Sequence, residues 1–175
     1  MQTTTPAVST SSVAMRYGLL TGLVSVIYMF LSFATGQVAN QALQWAGIVI
    51  PIGGIYLAHT AFKKSNGGFM SYGEGLGIGT ILSLVSGVIS TLFNYVYKSF
   101  IDPDVQTQMM NTMRTKLEEK GGLSDAQIDQ AISMTTKFST GPIGLVIGIV
   151  GALVMGVLIS LVVAAFTKNS KPEFE

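Results

Sequence analysis

The sequence predicts an all-α integral membrane protein, a four-helix bundle with a helical hairpin inserted between its third and fourth transmembrane helices. Three observations lead there. Hydrophobic residues make up 49% of the chain and charged residues only 11%, against roughly 25% charged in an average soluble domain. Four runs are apolar over the length of about 20 residues that a helix needs to cross the hydrocarbon of a bilayer. Between the third and fourth runs lies a polar segment with the apolar spacing of two amphipathic helices.

Residues 1–13 form a polar leader expected to be disordered, and residues 14–168 one membrane domain. The first run covers about 17–34, "YGLLTGLVSVIYMFLSFA". Arg16 before it, and Ser32 and Ala34 at its end, also fit a signal peptide cleaved after Ala34. One basic residue in the preceding sixteen is a weak charged region, so a retained helix is the favoured reading. The second run, about 42–62, is interrupted by Pro51, Gly53 and Gly54, breaks that membrane helices tolerate and that transporters use to coordinate ions. The third covers about 76–97, and the fourth, 142–166, carries no charge. A polar tail, 169–175, closes the chain.

The insert spans 102–140. Asp102 and Pro103 suit a helix start, and Val105, Met109, Met113 and Leu117 recur every fourth residue. Gly121 and Gly122 provide a left-handed stop. Ser124 with Gln127 reads as a capping box, and Leu123 with Ile128 as a staple, at the start of a second helix. Its apolar stripe packs on its neighbour or on the membrane surface, or else forms a lid for a partner outside the membrane.

Lysine and arginine placement sets the orientation. Arg16, Lys63, Lys64, Lys168 and Lys171 fall on one side of a four-span topology, which puts both termini in the cytoplasm. Five basic residues in the third connection, Lys98, Arg114, Lys116, Lys120 and Lys137, oppose that assignment. Trp45, Tyr95 and Tyr97 then belong to an outer aromatic belt, with Tyr17 and Tyr72 at the inner one.

The stretch "SYGEGLGIGT", residues 71–80, has glycines on alternate positions. A dinucleotide fingerprint starting at Gly73 or Gly75 needs a further glycine where Ile78 or Thr80 stands, and no phosphate-binding lysine follows. A period of four fits better. Ser71, Gly75, Gly79, Ser83, Gly87 and Thr91 form one line of small residues, and Gly144, Gly148, Ala152, Gly156, Ser160 and Ala164 form another. Such lines let helices approach closely in lipid. They join the third and fourth spans of one chain, for which a cysteine pair at 79 and 152 is a test, or spans of two copies.

Two polar residues stand out as functional candidates. Glu74 is the acidic residue at a membrane-helix end, where the helix dipole favours an anion; a proton- or cation-coupling role is the sharper alternative to a simple interfacial carboxylate. His59, the single histidine, lies near Lys63 and Lys64 and reads first as an interfacial hydrogen-bonding group. Ser83, Ser86, Ser90 and Asn94 give the third span a polar side.

The absence of cysteine excludes thiol chemistry, and one histidine leaves little for metal sites or triads. A net charge of +1 argues against nucleic acid as a partner. No catalytic, cofactor-binding or metal-binding residue is expected, and no cofactor. The expected partners are the lipid bilayer and either further copies or other membrane proteins.

The segments "YGLLTGL", "FKKSNGGFMSYGEGLGIG", "YVYKSFIDPDV" and "GLSDAQIDQA" together resemble the small bacterial membrane proteins grouped as domain of unknown function 4199, common in Bacteroidetes. The resemblance covers roughly residues 14–168. It implies four membrane helices with a long extramembrane insert before the last, a retained first helix, and no catalytic residues to carry over. The function expected is that of a structural or interaction component of the bacterial inner membrane. A small transporter or channel component using Glu74 and His59 is the alternative.

Overall fold

The computed structural model describes residues 9–38 and 40–171. They form six α-helices: α1 (Thr10–Ala34), α2 (Gln41–Ser65), α3 (Tyr72–Val96), α4 (Asp104–Lys120), α5 (Asp125–Ser139) and α6 (Gly141–Thr167). No strand occurs among the described residues. Helices α1, α2, α3 with its extension, and α6 are each long and apolar enough to cross a membrane.

The helices outrun the apolar stretches because caps, not hydropathy, end them. Helix α1 begins at Thr10, where the Ser9 hydroxyl accepts from the Ser12 amide at 3.4 Å. Residues 10–13 are therefore helical rather than part of a disordered leader, and residues 1–8 lie outside the described residues. Helix α2 runs unbroken through Pro51, so the expected break is absent. A proline removes one amide donor from the ladder, and here the helix continues through the loss. At the far end of α3, Tyr97–Ile101 add a π-helical turn closed by the Asp102 amide on the Tyr97 carbonyl at 2.8 Å. Helix α4 begins only at Asp104, two residues past the expected cap, although the Asp102 carboxylate still accepts from the Asp104 amide at 3.2 Å.

Packing follows the small residues. Helices α3 and α6 run antiparallel in one register. A Cβ added to Gly75 would meet Ala164 at 3.1 Å, one on Gly87 would meet Ala152 at 2.7 Å, and one on Gly148 would meet Thr91 at 2.7 Å. Between these, Gly79 lies against Ser160, and Gly156 against Ser83, too close for any side chain. Each step of four along α3 is a step of four back along α6. The seam is thus made within one chain, and Gly79 faces residue 160, not 152. Gly144 is the exception: a Cβ added there would meet the Ser139 backbone at 2.6 Å, so it serves the tight α5–α6 junction instead. Helix α1 packs along α3 through Gly18 against Val85 and Gly22 against Ile89.

The two ends of the bundle differ. At the end holding both described termini, Ala14, Ile55, Ala58, Phe62, Met70, Ile78 and Leu82 form a closed core. A short bridge pairs Met70 with Asn169, amide to carbonyl in both directions at 2.8 Å. At the other end Phe33, Tyr97 and Val105 pack together with Phe93 and Met109, and this cluster anchors α4. Tyr97 is only 5% exposed, so it belongs to this cluster and not to an interfacial belt. Trp45, at 65% exposure, remains outward-facing.

Helices α4 and α5 turn back on each other at Gly121 and Gly122, whose φ values of 68° and 84° suit glycine alone. Ser124 and Gln127 make the full capping box at the start of α5. Arg114 hydrogen-bonds Asp129 across the pair. Both side chains are exposed, so solvent screens the pair and it adds little to stability. Between the membrane-length helices, apolar side chains face outward, among them Leu19, Leu23 and Ile27 on α1 and Val146, Val150 and Val154 on α6.

Candidate functional site

The most connected polar group in the bundle is His59. Its ring is fully buried, while α2 carries it against α3 and α6. Nε2 lies 2.8 Å from the Gly75 carbonyl and Nδ1 lies 2.7 Å from the Thr167 hydroxyl. A Cβ added at Gly75 would only touch the ring, at 3.4 Å, and would press instead on Ala164 and Met70 at 3.1 Å. Ser160 adds a hydroxyl 3.4 Å from the Gly75 carbonyl, and Lys63 donates to the Thr167 carbonyl at 2.9 Å.

Proton counting constrains this knot. A carbonyl only accepts, so Nε2 carries a proton. In the neutral ring Nδ1 must then accept the Thr167 hydroxyl proton. That same hydroxyl lies 2.7 Å from the Val163 carbonyl, and one proton cannot serve both. If Nδ1 gains a proton, it donates to Thr167, which turns its hydroxyl to Val163. The hydrogen bonds alone are thus compatible with either orientation of the Thr167 hydroxyl, with no backbone movement.

Glu74 does something else. It occupies the third position of α3 and forms a capping box: its carboxylate accepts from the Ser71 amide at 2.7 Å and the Ser71 hydroxyl at 2.8 Å, while the Glu74 amide donates back. It is partly exposed, and its hydrogen bonds are local. The structure does not bring Glu74 and His59 into contact. The signal for the cap was present in the sequence as S-x-x-E at 71–74. Thr167, the partner of His59, had no such signal, since it follows the last apolar run by one residue and pairs across 108 positions.

Beyond the His59 level the bundle opens. A central cavity of about 300 Å³ is lined by all four membrane-length helices, with Ser25, Pro51, Ser83, Ser86 and Ser90 on its wall. The Ser83 hydroxyl is buried there without a hydrogen bond. A larger cavity of about 440 Å³ follows at the end beneath α5, and a third of about 300 Å³ lies beside it toward α4. Met29, Asn94 and Lys98 border both of these, while Met29 and Ser90 border the central one as well. The polar line that α3 carries in sequence, Ser83, Ser86, Ser90 and Asn94, is the common wall, and Lys98 on the π-helical turn extends it. The special role of Lys98 was hidden in sequence, because nothing there marked the π turn. Among the described residues no group of histidine and carboxylate side chains could hold a metal ion.

The chain matches none of the curated proteins and none of the solved structures. The family described as "Protein of unknown function (DUF4199)" matches residues 16–169. That span takes in α2, α3, α6 and all but the first six residues of α1, with the His59 knot and the three cavities, and the chain belongs to this family.

Proposed function

We propose that the chain is a multi-pass component of the bacterial cytoplasmic membrane with a structural or interaction role and no catalysis. Both termini face the cytoplasm, and α4 with α5 forms an extramembrane hairpin on the opposite side. The observation that carries this reading is the asymmetry of the bundle. The cytoplasmic end is a closed core fastened by His59 and the Met70–Asn169 bridge. The far end is open, and there the cavities and the hairpin offer surfaces to a partner. The α3–α6 seam is used within the chain, so association with further copies would use other faces. The fit of α1 along α3 supports its retention as a span.

Cysteine labelling tests the arrangement, since the protein has no native cysteine. In intact cells, E119C on the hairpin should react with a membrane-impermeant maleimide, and S65C at the end of α2 should react only after lysis. The reverse pattern would overturn the proposed orientation.

A second reading has one observation in its favour. The central cavity touches all four spans, and Pro51 on its wall leaves the Gly47 carbonyl without its helical amide. A small transporter component with His59 as its inner barrier would use such a lumen. Ion flux into liposomes that disappears in His59→Phe would favour this reading.

A further inference from the structure

We infer that the 440 Å³ cavity under α5 is a binding site for an anionic amphiphile, with a phosphate or carboxylate headgroup at Lys98 and an acyl chain along α6. This rests on the proposed reading of α1, α2, α3 and α6 as membrane spans. The volume lies within the range of about 300–1,000 Å³ typical of small-ligand sites.

The two ends of the cavity differ in chemistry. Near its mouth stand the Lys98 ammonium, Ser99, Ser139 and Thr140, at the level where α6 begins. Lys98 is partly buried and has no ion-pair partner among the described residues. No carboxylate lines the cavity. A cation withdrawn from water is ordinarily paired, so the missing charge is the natural place for an anion. The first turn of α6 adds to the positive potential, since no side chain caps it. The Thr140 hydroxyl that could cap it donates instead to the Thr136 carbonyl at 2.8 Å.

Deeper in, Leu145, Ile147 and Gly148 continue the wall, with Met29 opposite from α1. From Gly141 to Gly148 the helix descends about 10 Å at its rise per residue, well into one leaflet's share of the hydrocarbon, about 15 Å. Ile147 is 45% exposed, which opens this side toward lipid. A free anion would leave the apolar depth unfilled, and a zwitterionic lipid would bring a cation of its own beside Lys98. An anionic amphiphile satisfies both.

The purified full chain in mild detergent can be titrated with dioleoyl phosphatidylglycerol, dioleoyl phosphatidylethanolamine or inorganic phosphate and read by native mass spectrometry. One phosphatidylglycerol should bind at least about fivefold more tightly than phosphatidylethanolamine. Lys98→Gln should weaken phosphatidylglycerol about tenfold, the effect of losing one charge-assisted hydrogen bond. Lys98→Arg should stay within about twofold, and the charge-matched control Lys64→Gln should have no effect. A photoreactive phosphatidylglycerol should label residues 138–148 in the unaltered protein, a readout independent of how the variants fold. Equal binding of the two lipids, an unchanged Lys98→Gln, or labelling elsewhere would overturn the site. Inorganic phosphate binding as tightly as the lipid would overturn the amphiphile in favour of a plain anion. None of these outcomes depends on which side the cavity faces, so they are separable from the maleimide result.

Discussion

At the scale of single residues, the glycines of α3 divide into two kinds. Gly77 has nothing within 4 Å of an added Cβ, whereas at Gly79 that Cβ would collide with Ser160. Gly77→Ala should therefore be neutral or stabilise by up to about 1 kcal/mol through helix propensity. Gly79→Ala should destabilise by about 1–3 kcal/mol through overpacking. Thermal unfolding in detergent separates them, and equal effects would dissolve the four-residue seam. The period of four among the small residues was legible in sequence; which glycines met a neighbour closely enough to exclude a methyl was not. Glu74→Gln should cost less than about 1 kcal/mol, because glutamine still accepts from Ser71 and only the charge–dipole contribution is lost. A loss of several kcal/mol would show that the carboxylate does more than cap. His59 reaches further, since its removal leaves the Gly75 carbonyl with only the longer Ser160 contact and the Thr167 hydroxyl with Val163 alone. His59→Ala should cost about 1–3 kcal/mol. As the single histidine, its ¹⁵N resonances should show Nε2 protonated; an Nδ1-only tautomer would refute the bond to Gly75. Sequence placed His59 near the interface, yet it is fully buried, because the inner core closes over it with residues from three other segments.

At the scale of elements, register is the finding that sequence periodicity left open. Two lines of small residues predict that α3 and α6 approach, but a line of period four matches its partner equally well after a shift of one step. The cap residues and the Met70–Asn169 bridge choose among those shifts by fixing where the two helices start and stop. Cysteine pairs read the choice directly. Gly87→Cys with Ala152→Cys, or Gly75→Cys with Ala164→Cys, should form an intramolecular disulfide under mild oxidation, the separations of 2.7 and 3.1 Å needing only slight relaxation. Gly79→Cys with Ala152→Cys should not, since these positions are just over two turns out of step; crosslinking of that pair alone would refute the register. The caps at Ser124 and the stop at Gly121 were plain from residue type. The π-helical turn was not, because a wider turn alters hydrogen bonding without a distinct side-chain signal. It is held by the aromatic cluster of Phe33, Phe93 and Tyr97, where Phe33 and Tyr97 have ring centroids 4.8 Å apart. Val105 is 2% exposed within it. Val105→Ala should loosen α4 from the bundle and raise hydrogen exchange along 104–120 while leaving the inner halves of α3 and α6 protected.

At the scale of the whole molecule, hydropathy alone sufficed for the number of membrane-length helices, because each run must meet the thickness of a bilayer by itself. It said nothing of the difference between the two ends, which arises from contacts among segments far apart in sequence. That difference has a mechanical consequence. Helices α3 and α6 are clasped at one end by the Met70–Asn169 bridge, and by the Asn169 side chain on the Gly68 carbonyl at 2.9 Å. The seam then keeps them side by side as far as Thr91 and Gly148, and past that contact the 440 Å³ cavity is lined by the end of α3, its π-helical turn and the start of α6. Two stiff rods joined so behave as a clothes-peg. With the seam as the spring, any widening must pivot where the close contacts end, at Thr91 and Gly148, so the jaws are the short segments around Lys98 and Gly141, which a wedged molecule can part while the seam stays shut.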